Sequence, residues 1–316
     1  MSDRERIVAL DILRGIALFG MIIVHFHQTM ELPATGTEDL VGWIVWIGVE
    51  TKAWAAFAFL FGASFAIFLR RAEARGLNVV PLFLRRMIAL GILGAVLQFG
   101  FGFAILLDYA VWGVVLLIVR KWPTRALLLL ALAATLWTGA YAVIHLALSS
   151  LVLIILGFLA IRHGVLENPR AHVRLIAGVM IFGFVSWATW WLFLRDTNLE
   201  SGFGIVRDQW LGLTYTGAVL LLLEYRPVWI ERLESFRITG RTALSNYVLQ
   251  VLFFWTLGKH LGVRIRPYYE LPASIALFLI LVLLSKFWLA RHKYGPLERL
   301  WRSVTFWQFR ESVNAA

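Results

Sequence analysis

The strongest candidate for chemistry in this chain is a pair on one apolar helix, Arg14 and His25. Eleven residues at about 100° each bring His25 back to within about 20° of Arg14 after three turns, so the two share a helix face about 16 Å apart along the axis. A guanidinium can hold an anion through two parallel hydrogen bonds, and a neutral imidazole can accept a proton from an attacking hydroxyl or amine. Asp11 precedes Arg14 by three residues, in reach for an ion pair that offsets the cost of placing either charge among apolar neighbours. Gly15 and Gly20 leave small surfaces where another backbone can come close. The same spacing also suits a plainer arrangement, with Arg14 snorkelling to one membrane surface and His25 hydrogen-bonded near the other. His27 points about 200° away from His25 and reads as interfacial.

A second group is basic. Arg70, Arg71 and Arg75 close one apolar run, and Arg85 and Arg86 open the next. Guanidinium groups this dense either anchor a chain to anionic lipid or hold a polyphosphate, whose oxygens match arginine's paired donors. A third group runs from Gly240 to Gln250. Arg241 leads it, and Thr242, Asn246 and Gln250 recur every four residues along one face, fit to bond a neighbouring helix or to line a polar cavity. Asp108 lies inside an apolar run beside Tyr109, with Gln98 at the end of the run before it, and a polar group inside a span is a functional candidate. Lys259, His260, Arg264 and Arg266 cluster beyond the third group, and Lys286 lies within the last apolar run.

The elements that must position these groups follow from composition. Of 316 residues, 60% are hydrophobic and 16% charged, with mean hydropathy +0.76, against about 45–50% and about 25% in soluble domains. The pattern predicts an all-α, polytopic integral membrane protein. Windows of about 20 apolar residues place spans near 7–27, 53–69, 84–101, 104–119, 125–143, 146–161, 173–194, 209–223, 243–261 and 273–290, in a single membrane domain. The segment 224–241 alternates Trp229, Ile230, Leu233 and Phe236 with Arg232, Glu234 and Arg237, which predicts a helix lying in the interface. Residues 291–316 form a tail. The first apolar segment, interrupted by Asp11 and Arg14 and without a small-residue cleavage site, is expected to stay as the first helix.

Charge orients these spans. The formal net charge is +11. With ten spans and both termini in the cytoplasm, most of the 30 basic residues fall on the cytoplasmic side, leaving Lys52, Arg195, Arg207, Lys259, Arg264 and Arg266 on the other. The basic balance therefore reports membrane topology and not a nucleic-acid partner. Tryptophans such as Trp122, Trp187, Trp210 and Trp301 sit near predicted span ends, where an indole can be half apolar and half wet. The chain has no cysteine, no P-loop, no dinucleotide glycine fingerprint and no HExxH. Its seven histidines are scattered, and no metal is expected.

Four segments together resemble a known family: residues 6–17, with Arg6, Leu10, Asp11, Arg14, Gly15 and Ala17; Phe57 to Gly62 with Arg70 and Arg71 beyond; Gly240 to Gln250; and Tyr294 to Arg302. They look like the YeiB-like membrane proteins, a branch of the transmembrane acyltransferase superfamily that also includes heparan-α-glucosaminide N-acetyltransferases and integral-membrane O-acyltransferases. In the O-acyltransferases an Arg followed after ten residues by His is the functional first-helix motif, and Arg14 and His25 match that spacing. The chain departs from the YeiB-like pattern at His25, where that pattern often carries Asn, and at Gln98 and the displaced Asp108, where it carries a His and a Gly-Asp pair. The resemblance implies an acyltransferase of the inner membrane. His25 would be its base or acyl relay, supported by Arg14 and Asp11. Arg70, Arg71, Arg85, Arg86 and Arg241 would hold the phosphates of an acyl-CoA co-substrate, acetyl-CoA above all. Asn246, Gln250, Gln98 and Asp108 would line the substrate cavity. The expected partners are membrane lipid, a small-molecule or glycan acceptor, and a second copy in a homodimer. A transporter or flippase for a lipid-linked or anionic molecule would use the same polar groups as a path, and a non-catalytic accessory protein would use none of them.

Overall fold

The computed structural model describes residues 3–32, 39–102, 105–140, 145–194 and 200–306. Arg195, assigned above to the non-cytoplasmic side, lies outside the described residues. Every named element is helical: α1 (Asp3–Met30), α2 (Asp39–Gly48), α3 (Lys52–Glu73), α4 (Val79–Val96), α5 (Ile105–Val119), α6 (Thr124–Ala140), α7 (His145–Arg162), α8 (Val173–Thr189), α9 (Glu200–Tyr225), α10 (Val228–Arg232), α11 (Glu234–Arg241), α12 (Ala243–Phe254), α13 (Glu270–Leu289) and α14 (Pro296–Thr305). Wider π-turns extend α4 over Leu97–Phe101, α8 over Trp190–Leu194 and α12 over Trp255–His260. The extended pairing among the described residues is a single bridge, Glu31 to Ile265.

Five stretches are long and apolar enough to cross a bilayer: Val8–Met30, Lys52–Glu73, Val79–Phe101, Val173–Phe193 and Pro267–Leu289. Shorter apolar helices cover Ile105–Val119, Thr124–Thr138 and Leu148–Arg162. Large apolar side chains face outward along α4, α8 and α13, among them Ile88, Ile92, Ile181, Phe182, Leu283 and Phe287. A belt of that extent has no place in water and marks a membrane protein.

Glycine decides which helices touch. A Cβ at Gly15 would sit 2.0 Å from the Phe236 carbonyl oxygen, and one at Gly240 would sit 1.8 Å from that of Asp11, so α1 and α11 cross backbone to backbone. Gly62 and Gly157 do the same for α3 and α7, each 1.9 Å from a facing carbonyl. Such small-residue contacts bring helices together where lipid supplies no hydrophobic drive. Of the five long stretches, α1 is the most enclosed and α8 the least.

Two elements go beyond the sequence reading. Helix α2 has ten residues, too few to span, and a span-length window passes over it. In the segment read as a tail, Gly295 and Pro296 start α14, with proline at the first helical position where its missing N–H costs nothing. The predicted interfacial segment forms two helices, α10 and α11, broken at Leu233. In α11, Glu234 accepts from Arg237 Nε at 2.5 Å and Nη2 at 2.7 Å. These hydrogen bonds hold the guanidinium pKa above its ordinary value.

Candidate functional site

Helices α1, α3, α4, α5, α11, α12 and α14 surround a cavity of about 270 Å³, near the lower limit of small-molecule sites at about 300–1,000 Å³. Its polar end is built on α1, α4, α11 and α14. Arg14 donates to Asp11 Oδ1 at 2.6 Å and to Ser64 Oγ at 2.8 Å, so both partners fix its position on the cavity wall. Arg86 lies with its guanidinium carbon 3.9 Å from the Trp301 ring centroid and 5.1 Å from that of Phe68. Trp301 Nε1 in turn donates to the Arg86 carbonyl at 2.9 Å. Arg302 lies 4.3 Å from the Tyr294 ring centroid, and Arg241 donates to the Lys293 carbonyl at 3.5 Å.

The one carboxylate lining this cavity is already engaged. Glu298 accepts from the backbone N–H groups of Leu244 at 2.8 Å and Ser245 at 3.1 Å, and from the Ser245 hydroxyl. Those amides open α12, where the first turn has no intrahelical acceptor and a negative charge is favoured. Ser245 Oγ also accepts from Leu297 N at 3.1 Å. A carboxylate from α14 thus caps α12 and carries Trp301 and Arg302 to the cavity. Arg86, Arg241 and Arg302 make no ion pair with a carboxylate among the described residues. Three guanidinium groups without a close ion pair, with Arg14 beside them, suit this end to an anion.

The other end of the cavity is aromatic. Phe57, Phe61 and Phe65 line it with Tyr109 and Tyr247. The Tyr109 ring packs 5.0 Å from Phe61, and its fully buried hydroxyl makes no hydrogen bond. Tyr247 is also a neighbour of His25, with ring centroids 6.5 Å apart, and Phe254 flanks the imidazole at 5.4 Å. His25 is buried and does not itself line the cavity.

The sequence candidates divide accordingly. Arg14, Arg86 and Arg241 meet at the cavity, with Asp11 behind Arg14. Arg70 pairs with Glu167 on an exposed surface, and Arg71 is exposed. Arg85 does not line the cavity. Asn246 Nδ2 donates to Thr242 Oγ1 and Ser285 Oγ, both at 3.0 Å, which knots α12 to α13 away from the cavity. Gln250 is fully enclosed with neither amide atom hydrogen-bonded, and Gln98 Oε1 is likewise buried without a partner. Asp108 is half-buried on α5. None of these last three lines the cavity. Sequence reasoning assigned no site role to Glu298 or Arg302, and it read Trp301 as an interfacial indole, whereas the structure places it under Arg86 in the cavity wall. The signal was present in the Tyr294 to Arg302 segment, although nothing in that segment says which helix it meets.

A family profile described as a protein of unknown function, DUF418, matches residues 160–308, the part that supplies Arg241, Tyr247, Glu298, Trp301 and Arg302. The chain is 31% identical over 330 residues to an uncharacterized 39.9 kDa protein in the amylase 3′ region of Bacillus acidopullulyticus, covering 96% of this chain and 94% of that one. It is 44% identical over 68 residues to YeiB of Escherichia coli, 21% of this chain and 18% of YeiB. The chain belongs to the YeiB-like family. A third relative of this YeiB-like chain, YxaH of Bacillus subtilis, is 26% identical over 386 residues, with 96% of each covered. No solved structure matches.

Proposed function

We propose that this YeiB-like protein is a membrane-embedded acyltransferase that moves an acyl group, acetyl in the first instance, from acyl-CoA to a hydroxyl or amine of a membrane or outer-face acceptor. The observation that carries this reading is the cavity itself: unpaired guanidinium groups at one end, an aromatic channel beyond them, and an imidazole behind its far wall. The ten spans read from the sequence all cross the inner membrane, with the positive-inside asymmetry orienting the arginine end toward the cytoplasm, where acyl-CoA is found. Arg86, Arg241 and Arg302 bind the donor's phosphates at the rim, and the adenosine stays outside a cavity of this size. The pantetheine arm runs along Phe57, Phe61 and Phe65. The span of about 16 Å between Arg14 and His25 on α1 suits an arm that carries its thioester to Tyr247.

At that point His25 takes the proton from the acceptor as its oxygen or nitrogen attacks the thioester carbonyl. The acceptor–acyl bond forms, the carbon–sulfur bond breaks, and CoA leaves as its thiol with a proton returned by the imidazolium. This route requires the Tyr247 ring to move aside, because it stands beside the imidazole. A second reading, a carrier or flippase for an anionic amphiphile, is favoured by one observation: His25 does not line the cavity.

Purified protein titrated with acetyl-CoA, then assayed for release of CoA thiol with membrane acceptors, tests the proposal. Saturable binding is expected. Arg86→Ala weakens it, and His25→Ala retains binding while abolishing transfer. Absence of acetyl-CoA binding by the wild-type protein overturns the reading, and binding without transfer in reconstituted membranes favours the carrier.

A further inference from the structure

The end of the bundle opposite the arginine rim holds a second group of chemistry-bearing side chains. Glu270 opens α13 and is fully buried. Its Oε1 lies 3.3 Å from His27 Nδ1, while its other oxygen, Oε2, is buried with no hydrogen bond. Glu31 Oε2 lies 2.7 Å from the same imidazole nitrogen. One ligand atom from each residue lies within 4.8 Å of the other two. A carboxylate enclosed with half of its acceptor capacity unused is costly to bury. An imidazolium at His27 would engage Nδ1 and leave Oε2 of Glu270 as it is, whereas a divalent cation draws on both carboxylates and the ring together.

The backbone holds this arrangement in place. Leu32 N donates to the Ile265 carbonyl at 2.8 Å and Ile265 N to the Met30 carbonyl at 2.7 Å, pinning the end of α1 to the segment that leads into α13. His27 and Glu31 are four residues apart, one helical turn, so they face the same side. Ligands about 2.0–2.2 Å from a metal at roughly 90–110° lie about 2.8–3.6 Å from one another; the 3.3 Å separation falls in that range and the 2.7 Å one sits just below its lower edge. One imidazole nitrogen with two carboxylates suits a first-row divalent cation better than calcium or magnesium, which take oxygen ligands alone.

We propose that His27, Glu31 and Glu270 form a binding site for a divalent transition-metal cation, with zinc and manganese as the probes. The cation ties α1 to α13 at the end of the bundle away from the anion cavity, and the site does not depend on the acyl-transfer reading. It departs from the expectation that scattered histidines leave no metal site, because the third ligand lies 243 residues from His27 and no local spacing announces it.

The test uses tag-free, chelator-stripped protein in detergent, titrated with Zn²⁺ and, separately, Mn²⁺ against a competing chelator. One saturable equivalent of at least one of the two is expected, with a concentration-dependent rise in Tm. Glu270→Gln and Glu31→Gln are each expected to weaken that binding at least tenfold and to remove the rise. Glu31 is partly exposed, so Glu31→Gln carries the test if Glu270→Gln fails to fold. No saturable equivalent of either metal, or binding unchanged in the variants that fold, overturns the proposal.

Discussion

The two ends of the helical bundle handle charge in opposite ways. At one end, Arg86, Arg241 and Arg302 crowd around a cavity whose lining carboxylate is engaged by backbone amides and a hydroxyl. At the other, Lys52 is 2% exposed with Nζ 3.0 Å from Asp208 Oδ2, and Arg207 Nε is 2.8 Å from Asp208 Oδ1. The second arrangement joins α3 to α9 through one carboxylate shared by a lysine and an arginine, so it is scaffold. The first leaves like charges together, which is unfavourable without an anion, and such an arrangement makes sense as a place for one. Compensation by carboxylates therefore separates the charges that hold this protein together from those that face a ligand.

The sharpest way to break the comparison is at the compensated end. Asp208→Asn strands Lys52 and Arg207 in a buried site, and removing one partner of a buried pair costs about 3–5 kcal/mol. Thermal unfolding in detergent should show a large fall in Tm, and an unchanged Tm would mean that these charges reach water. Next in size is Gly240→Ala, whose Cβ would meet the Asp11 carbonyl at 1.8 Å. Overpacking of this kind costs about 1–3 kcal/mol. Because α1 must shift to relieve it, Arg14 moves too, and both Tm and acetyl-CoA affinity are expected to fall.

Glu298→Ala removes the carboxylate that caps α12, at a cost of about 0.5–2 kcal/mol, and frees α14. Limited proteolysis beyond Lys293 should then speed up. The smallest effect on stability and the clearest contrast in binding come from a pair of arginines. Arg86→Ala is expected to weaken acetyl-CoA binding about tenfold, the equivalent of one lost charge-assisted hydrogen bond. Arg70→Ala removes only an exposed ion pair with Glu167, worth about 0–1 kcal/mol, and should leave binding as it was. Equal losses from the two would undo the distinction between rim and surface.

Much of the fold was legible because the signals that specify it are local. Apolar runs fall where the long helices form, and the 224–241 segment shows its alternation directly. Helix α2 was not, because ten apolar residues between two spans look like part of a loop. Within the site, Arg14 and Asp11 were legible as neighbours on one turn, and their ion pair is present. The five arginines between Arg70 and Arg86 were not separable by sequence: Arg86 faces the cavity and Arg70 faces outward, although both lie in the same basic cluster. Asn246 and Gln250 share a face as their spacing requires, yet that face turns toward α13 at Asn246 and does not reach the cavity.

The sequence by itself determined that this chain is helical and membrane-bound, that Arg14 and His25 share one face of the first helix, and that it carries the segments of the YeiB-like family. The first two depend on composition and on helical period, and the third on the residues of short motifs, all of which neighbouring residues fix among themselves. The tertiary structure alone decided which arginines meet at a cavity, that Glu298 brings Trp301 and Arg302 to it, that Tyr247 stands beside His25, and that Glu270 meets His27. Those pairings join residues far apart in the chain. They are set by where glycine lets two backbones touch and by which carboxylate finds an open helix end, and neither is encoded in any local repeat.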